Sequence, residues 1–138
     1  MQVTFEQAQS VLQAQPFSRL LGVELTLFQV DRVELKIPIR PEHLQQNGLV
    51  HGGVLAYAAD NAITFAAGRL LGAAVLTKGL VIDYVRPASG EFLRAEAHVV
   101  THTRTQAICR AEVYAVTGSD ETLCAVAQGT VNAVRANG

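Results

Sequence analysis

Charge is scarce in this 138-residue chain: 17% of its residues are charged, and the formal net charge is −1. No basic surface is on offer to nucleic acid or to an anionic membrane, so neither is an expected partner. Cysteine is scarcer still. Cys109 and Cys124 stand alone, without metal-ligand spacing or a disulfide framework, and read as two reduced core thiols. His98, His102 and the carboxylates also lack ligand spacing, so no metal is expected. The opening Met1-Gln2-Val3-Thr4 has neither a basic start nor an apolar run. No secretory leader is therefore expected, and a cytoplasmic location is. The apolar stretch over residues 54–76 is interrupted by Asp60, Asn61 and Arg69, which argues against a membrane span. There is no Gly-Lys-Ser or Gly-x-Gly phosphate loop, no serine in a nucleophile elbow, and no repeat, linker or low-complexity segment.

What the chain does have is apolar surface, with 49% hydrophobic residues. Its length supports one domain, residues 1–138, with a modest core. Surplus apolar area in a small domain tends to lie in a subunit interface, so an oligomer is expected.

Local patterns divide the chain. Thr4-Phe5-Glu6-Gln7 has the form of a capping box, and Phe5, Ala8, Val11 and Leu12 make one apolar helical face that ends before Pro16. A short helical turn over 17–21 stops at Gly22. The period then changes to two: Val33, Leu35, Ile37 and Ile39 alternate with Glu34, Lys36 and Pro38. Residues 23–30 are the expected hairpin partner, turning at Asp31-Arg32. Further strands are expected over 80–86, 92–102, 105–117 and 122–134, the last pair joined through Gly118-Ser119-Asp120. The last three are about twice the usual strand length, long enough to curl around a helix.

That helix is the stretch 47–72, NGLVHGGVLAYAADNAITFAAGRLLG. It opens with a turn and two glycines and carries six alanines between Val54 and Ala67, which allow close packing. A helix apolar all round should be buried. Yet Asp60 sits in its middle, a costly place for a carboxylate without a compensating partner. The order α-β-β-α-β-β-β-β, with strands around one buried helix, predicts an α+β hotdog fold: a curved antiparallel sheet wrapped around one long central helix. The pattern also allows another α+β sandwich.

Two features of this helix suggest chemistry. Gly52 and Gly53 let a substrate approach the backbone at the helix start, where unpartnered N–H groups can polarise a carbonyl or hold an oxyanion. His-Gly-Gly also suits a plain loop-to-helix turn. Asp60 lies eight residues beyond Gly52, about 12 Å along the axis. One straight helix cannot bring both groups to one reacting carbon. Two antiparallel copies across a two-fold axis can, which predicts a composite site in a homodimer. Thr64, one turn on, is placed either to orient Asp60 or simply to satisfy it. His51 is a candidate substrate contact or a loop anchor. Gln45, Gln46 and Asn47 are neutral amides above the helix. Arg86, Arg104 and Arg110 are candidate phosphate contacts or solvated surface.

Asn47-Gly48-Leu49-Val50-His51-Gly52-Gly53, then Asp60, resembles the acyl-CoA thioesterases of the hotdog superfamily, in particular the phenylacetate-pathway (PaaI-like) branch. Tyr84-Val85-Arg86-Pro87-Ala88 and Ala125-Val126-Ala127-Gln128-Gly129-Thr130 match as well, and the likeness runs over about 17–134. The resemblance implies hydrolysis of an acyl-CoA, with coenzyme A as part of the substrate and no cofactor. Asp60 would be nucleophile or general base, and the Gly52 N–H would polarise the carbonyl from the other subunit. His51 would support that loop or touch the thioester. Gln45 falls where relatives place an amide for carbonyl or water, with Asn47 as its rival. Thr64 and Thr77 fall where relatives carry hydroxyls near the acid. Gly53 would adjoin the substrate, and Arg86, with the Arg104-Thr105 turn, would meet the CoA phosphates. Tyr57, Ile63 and Phe65 are candidates to line an acyl slot. The expected partners are the acyl-CoA and a second copy of the chain, the dimers pairing into a homotetramer. Rival readings are a hotdog hydratase or dehydratase using His51, and a non-catalytic acyl-CoA-binding module.

Overall fold

The computed structural model describes residues 2–134. Helix α1, Phe5–Ala14, opens with the expected reciprocal cap: Gln7 N–H donates to Thr4 Oγ1 at 3.1 Å and Thr4 N–H to Gln7 Oε1 at 2.9 Å. Its buried face is Ala8 and Leu12. Helix α2, Pro16–Leu21, starts on a proline, which is pre-set for a first helical turn. It ends at Gly22, whose φ of 75° is the left-handed conformation glycine adopts freely.

Strands β1, Glu24–Phe28, and β2, Val33–Pro38, form the hairpin. After the 3-10 turn Pro41–His43 comes helix α3, Gly52–Leu71. Four strands follow: β3, Val75–Tyr84; β4, Phe92–His102; β5, Gln106–Thr117; and β6, Asp120–Ala133. All pair antiparallel in one six-stranded sheet of order β1-β2-β4-β5-β6-β3. Helix α3 lies across this curved sheet in contact with β2 through β6. This is the hotdog architecture.

The core follows from side-chain size. The sheet face toward α3 carries Leu35, Ile37, Leu93, Ala95, Ala97, Ala107, Ala111 and Val113, and the helix answers with Ala58, Ala59, Ala62 and Ala66, all buried. Small residues on both sides let the layers approach closely. Cys109 and Cys124 are free and buried, as expected of core thiols.

Two sequence expectations need correction. The strand placed at 80–86 begins five residues earlier, at Val75. A register shift lies between Thr77 and Gly79, so one extra residue, Lys78, breaks the period of two. Val75 and Thr77 on one side of this bulge, and Leu80 and Ile82 on the other, are the half-buried positions of β3. A simple alternation counted back from Leu80 puts Thr77 out of phase, which hid the strand's first half. The second correction concerns burial. Helix α3 is not enclosed all round: Gly53 is exposed, and Ala56, Tyr57, Asp60 and Thr64 are half-buried. Their spacing puts them on one stripe, and the face opposite is buried in the sheet.

Strand β3 is one edge of the sheet. It is ten residues long and exposes Leu76 and Val81 at 66% and 71%. A long apolar edge left open is a template for pairing with another chain. Among the described residues no helix is long and apolar enough to cross a membrane.

Candidate active site

The start of α3 is built by three local bonds. His51 is the N-cap, and its Nδ1 accepts from Gly53 N–H at 2.9 Å. Its carbonyl accepts from Val54 N–H at 2.9 Å, and its own N–H donates to the His43 carbonyl at 2.8 Å. With Nδ1 accepting, a neutral ring carries its proton on Nε2. The His51 ring is thus a donor toward the exposed side.

This arrangement assigns the paired glycines different duties. A Cβ on Gly53 would lie 3.0 Å from His51 Nδ1, so glycine there makes room for the capping ring. Gly53, expected beside the substrate, is exposed, and its N–H is taken by His51. The Gly52 N–H has no acceptor among the described residues. It is the amide left to meet a ligand at the positive end of a 20-residue helix.

Above it lies a cleft of about 320 Å³, lined by Gln45, Leu55, Tyr84, Arg86 and Pro87 among others. Gln45 Oε1 accepts from Asn47 N–H, so the Gln45 amide NH₂ is the end left to donate. Gln45 lines this cleft, whereas Asn47 is exposed in the loop. Arg86 Nη1 donates to the Leu123 carbonyl at 3.2 Å, leaving further guanidinium donors at the cleft rim. Within one copy, Arg104 and Thr105 stand away from this cleft. They sit in the β4–β5 turn, where the Thr105 carbonyl accepts from Ala133 N–H, and Ala133 pairs with Val75 at the far end of β3 from Tyr84.

The second centre is Asp60. Thr77 Oγ1 donates to Asp60 Oδ1 at 2.6 Å, and Thr64 Oγ1 to the Asp60 carbonyl at 2.7 Å. The Thr64–Thr77 oxygen distance is 3.2 Å and Thr64–Oδ1 is 3.5 Å. Each hydroxyl has one proton, already committed, so these longer contacts are proximity only. The one carboxylate hydrogen bond goes to Oδ1, and Oδ2 is free among the described residues. A half-buried carboxylate with one oxygen fixed and one open can take a proton or attack a carbon.

Tyr84 was left without a role by the sequence. Its ring carbon lies 3.5 Å from where a Gly52 Cβ would be, and its hydroxyl donates to the Gly52 carbonyl at 3.3 Å. The two residues are 32 apart in the chain, so no local spacing points to the contact. Of the expected acyl-slot residues, Ile63 is fully buried. Tyr57 OH is bound to Ser18 and Asn61, and Phe65 lines an apolar void under α1.

Known proteins give this geometry a family. Residues 47–122 match the model of the thioesterase superfamily. A Mycobacterium tuberculosis protein provisionally named an esterase, Rv1847, is 30% identical over 121 residues, covering 84% of this chain and 83% of its own. A thioesterase family protein from Silicibacter pomeroyi superposes with a TM-score of 0.86 at 29% identity, over 91% of this chain and 93% of that one. The fold is shared by the Haemophilus influenzae thioesterase HI1161, at a TM-score of 0.82 and 22% identity, over 96% and 91%. The chain belongs to the thioesterase superfamily, and thioester hydrolysis is the activity this membership carries.

Proposed function

We propose that the chain hydrolyses acyl-CoA thioesters at a site shared between two copies, with Asp60 of one and the Gly52 N–H of the other acting on one carbonyl. The observation that carries this reading is Asp60 itself. It is the lone carboxylate on a mostly apolar helix, with Oδ1 held by Thr77 and Oδ2 open. A carboxylate kept only for stability gains little in such a place.

Within one copy, Gly52 and Asp60 are separated by about 12 Å of helix. The half-exposed stripe that holds Asp60 and the open apolar edge of β3 supply a surface on which an antiparallel second copy can sit. Isologous pairing would then make two identical sites.

In the reaction, the thioester oxygen accepts from the Gly52 N–H, with the Gln45 amide as a second donor. Asp60 Oδ2 takes a proton from water as the water oxygen bonds to the carbonyl carbon. Alternatively, Oδ2 bonds to that carbon itself, giving an anhydride that water then opens. The negative charge on the former carbonyl oxygen is held by the same donors at the helix start. The C–S bond breaks, the thiolate leaves as coenzyme A, and the proton balance closes with free acid and thiol. Arg86 at the rim offers its guanidinium to the CoA phosphates.

The hydratase reading needs His51 as a proton acceptor at carbon. Its Nδ1 is occupied by Gly53 N–H, which leaves Nε2 as a donor and argues against that role. The test is a panel of acyl-CoAs with a thiol-detecting reagent. Thiol release supports the hydrolase. Hydration of an enoyl-CoA without thiol release overturns it.

A further inference from the structure

One apolar void has no place in the account so far. It lies beneath α1, between α1, β1, α3 and β3, with a volume of about 100 Å³, walled by Phe28, Thr64, Phe65, Gly68 and Val75 and open to solvent past Val11 and Ala73. No charged side chain lines it. Thr64 connects it to the chemistry, because the same residue donates to the Asp60 carbonyl and stands 3.2 Å from Thr77.

We infer that this void is the seat of the acyl tail and that it selects short aliphatic acyl groups over aromatic ones. The inference rests on the hydrolase reading above and adds its substrate class. Thr64, one helical turn beyond Asp60, lines the void, so a tail leaving a carbonyl beside Asp60 enters past that residue. A neutral lining suits a neutral tail, since burying an apolar group there costs no unpaired charge.

Size then decides the class. An engineered apolar cavity of about 150 Å³ is known to hold benzene. This void is smaller, at about 100 Å³. Scaled against the six carbons held by about 150 Å³, this volume takes a tail of about three or four carbons. A planar six-membered ring with a further methylene exceeds it. Gly68 sets part of the floor. A Cβ there would meet Val75 Cγ2 at 3.7 Å, an ordinary contact, so a larger side chain can be introduced from this position.

The experiment compares kcat/KM for straight-chain acyl-CoAs from acetyl to palmitoyl, with benzoyl- and phenylacetyl-CoA, in the wild type, Gly68→Leu and Ala73→Leu. Ala73 is an exposed residue on the rim of the void, so its variant carries the test if Gly68→Leu does not fold. The wild type is expected to prefer butyryl to pentanoyl chains, with each aromatic thioester slower by about tenfold or more. Each variant is expected to lower the butyryl-to-acetyl ratio by about tenfold, the discrimination a methylene commands in a filled apolar pocket. A preference for aromatic or long chains, or a ratio unmoved in folded variants, overturns this assignment and leaves the hydrolase standing. No thiol release from any thioester removes both.

Discussion

The Thr77 hydroxyl donates to Asp60 Oδ1 at 2.6 Å, across 17 residues of chain and just ahead of the bulge in β3. This bond orients the carboxylate and leaves Oδ2 free. Thr77→Val keeps the shape and removes the donor. It is expected to lower kcat by about tenfold with little change in KM, and to cost about 1 kcal/mol of stability. Steady-state kinetics and thermal melts check both, and Thr77→Ser should restore the rate.

Asp60→Asn preserves an oxygen for Thr77 but removes the base and nucleophile. Turnover should fall by about a hundredfold or more, the usual scale for a general base. The melting temperature should stay within about 4 °C, because the hydrogen bond and the volume are retained. Thiol release measured beside circular dichroism separates the two effects.

Gly52→Pro deletes one N–H and little else. Gly52 is the first residue of α3, where proline is welcome. His51, at φ −59° and ψ 134°, already has the extended backbone that must precede proline. A Cβ at this position meets the Tyr84 ring at an ordinary 3.5 Å. The variant should fold and lose about a hundredfold in kcat, as when an oxyanion donor is removed.

His43 anchors the loop before α3 through its carbonyl, and its side chain is buried. Burial pushes the imidazole below its ordinary 6.5, and nearby Arg40 adds to the effect. Between the folded value and 6.5, the unfolded chain binds a proton that the folded chain refuses. Its contribution to stability is therefore intact above 6.5 and falls as pH drops through 6.5 toward the folded value. The melting temperature should decline as the pH falls through 6.5, and less steeply in His43→Asn.

Much of this was legible in the sequence because it depends on local chemistry. Thr4 and Gln7 are a cap wherever they precede an apolar face. Val33, Leu35 and Ile37 alternate because one face is buried. Asp60 stands out by contrast with its neighbours. The losses are equally physical. Lys78 in the bulge breaks the period that would have revealed the first half of β3. Tyr84 reaches Gly52 only through the antiparallel run of β3 beside α3, a contact between distant segments. That His51 takes the Gly53 N–H is likewise not written in the letters. Within one copy, Arg104 and Thr105 lie at the other end of the sheet from the Gly52 cleft, because a long hairpin carries its turn there.

The shared site is tested most directly by mixing two inactive variants, Asp60→Asn and Gly52→Pro, under conditions that exchange subunits. In a hybrid dimer, one site receives an intact Asp60 from one copy and an intact Gly52 N–H from the other. Random re-association should restore about a quarter of wild-type thiol release. Recovery to that level supports a site built from two copies. A mixture that exchanges subunits, as shown by mass spectrometry of the dimers, yet stays as inactive as its components would contradict it.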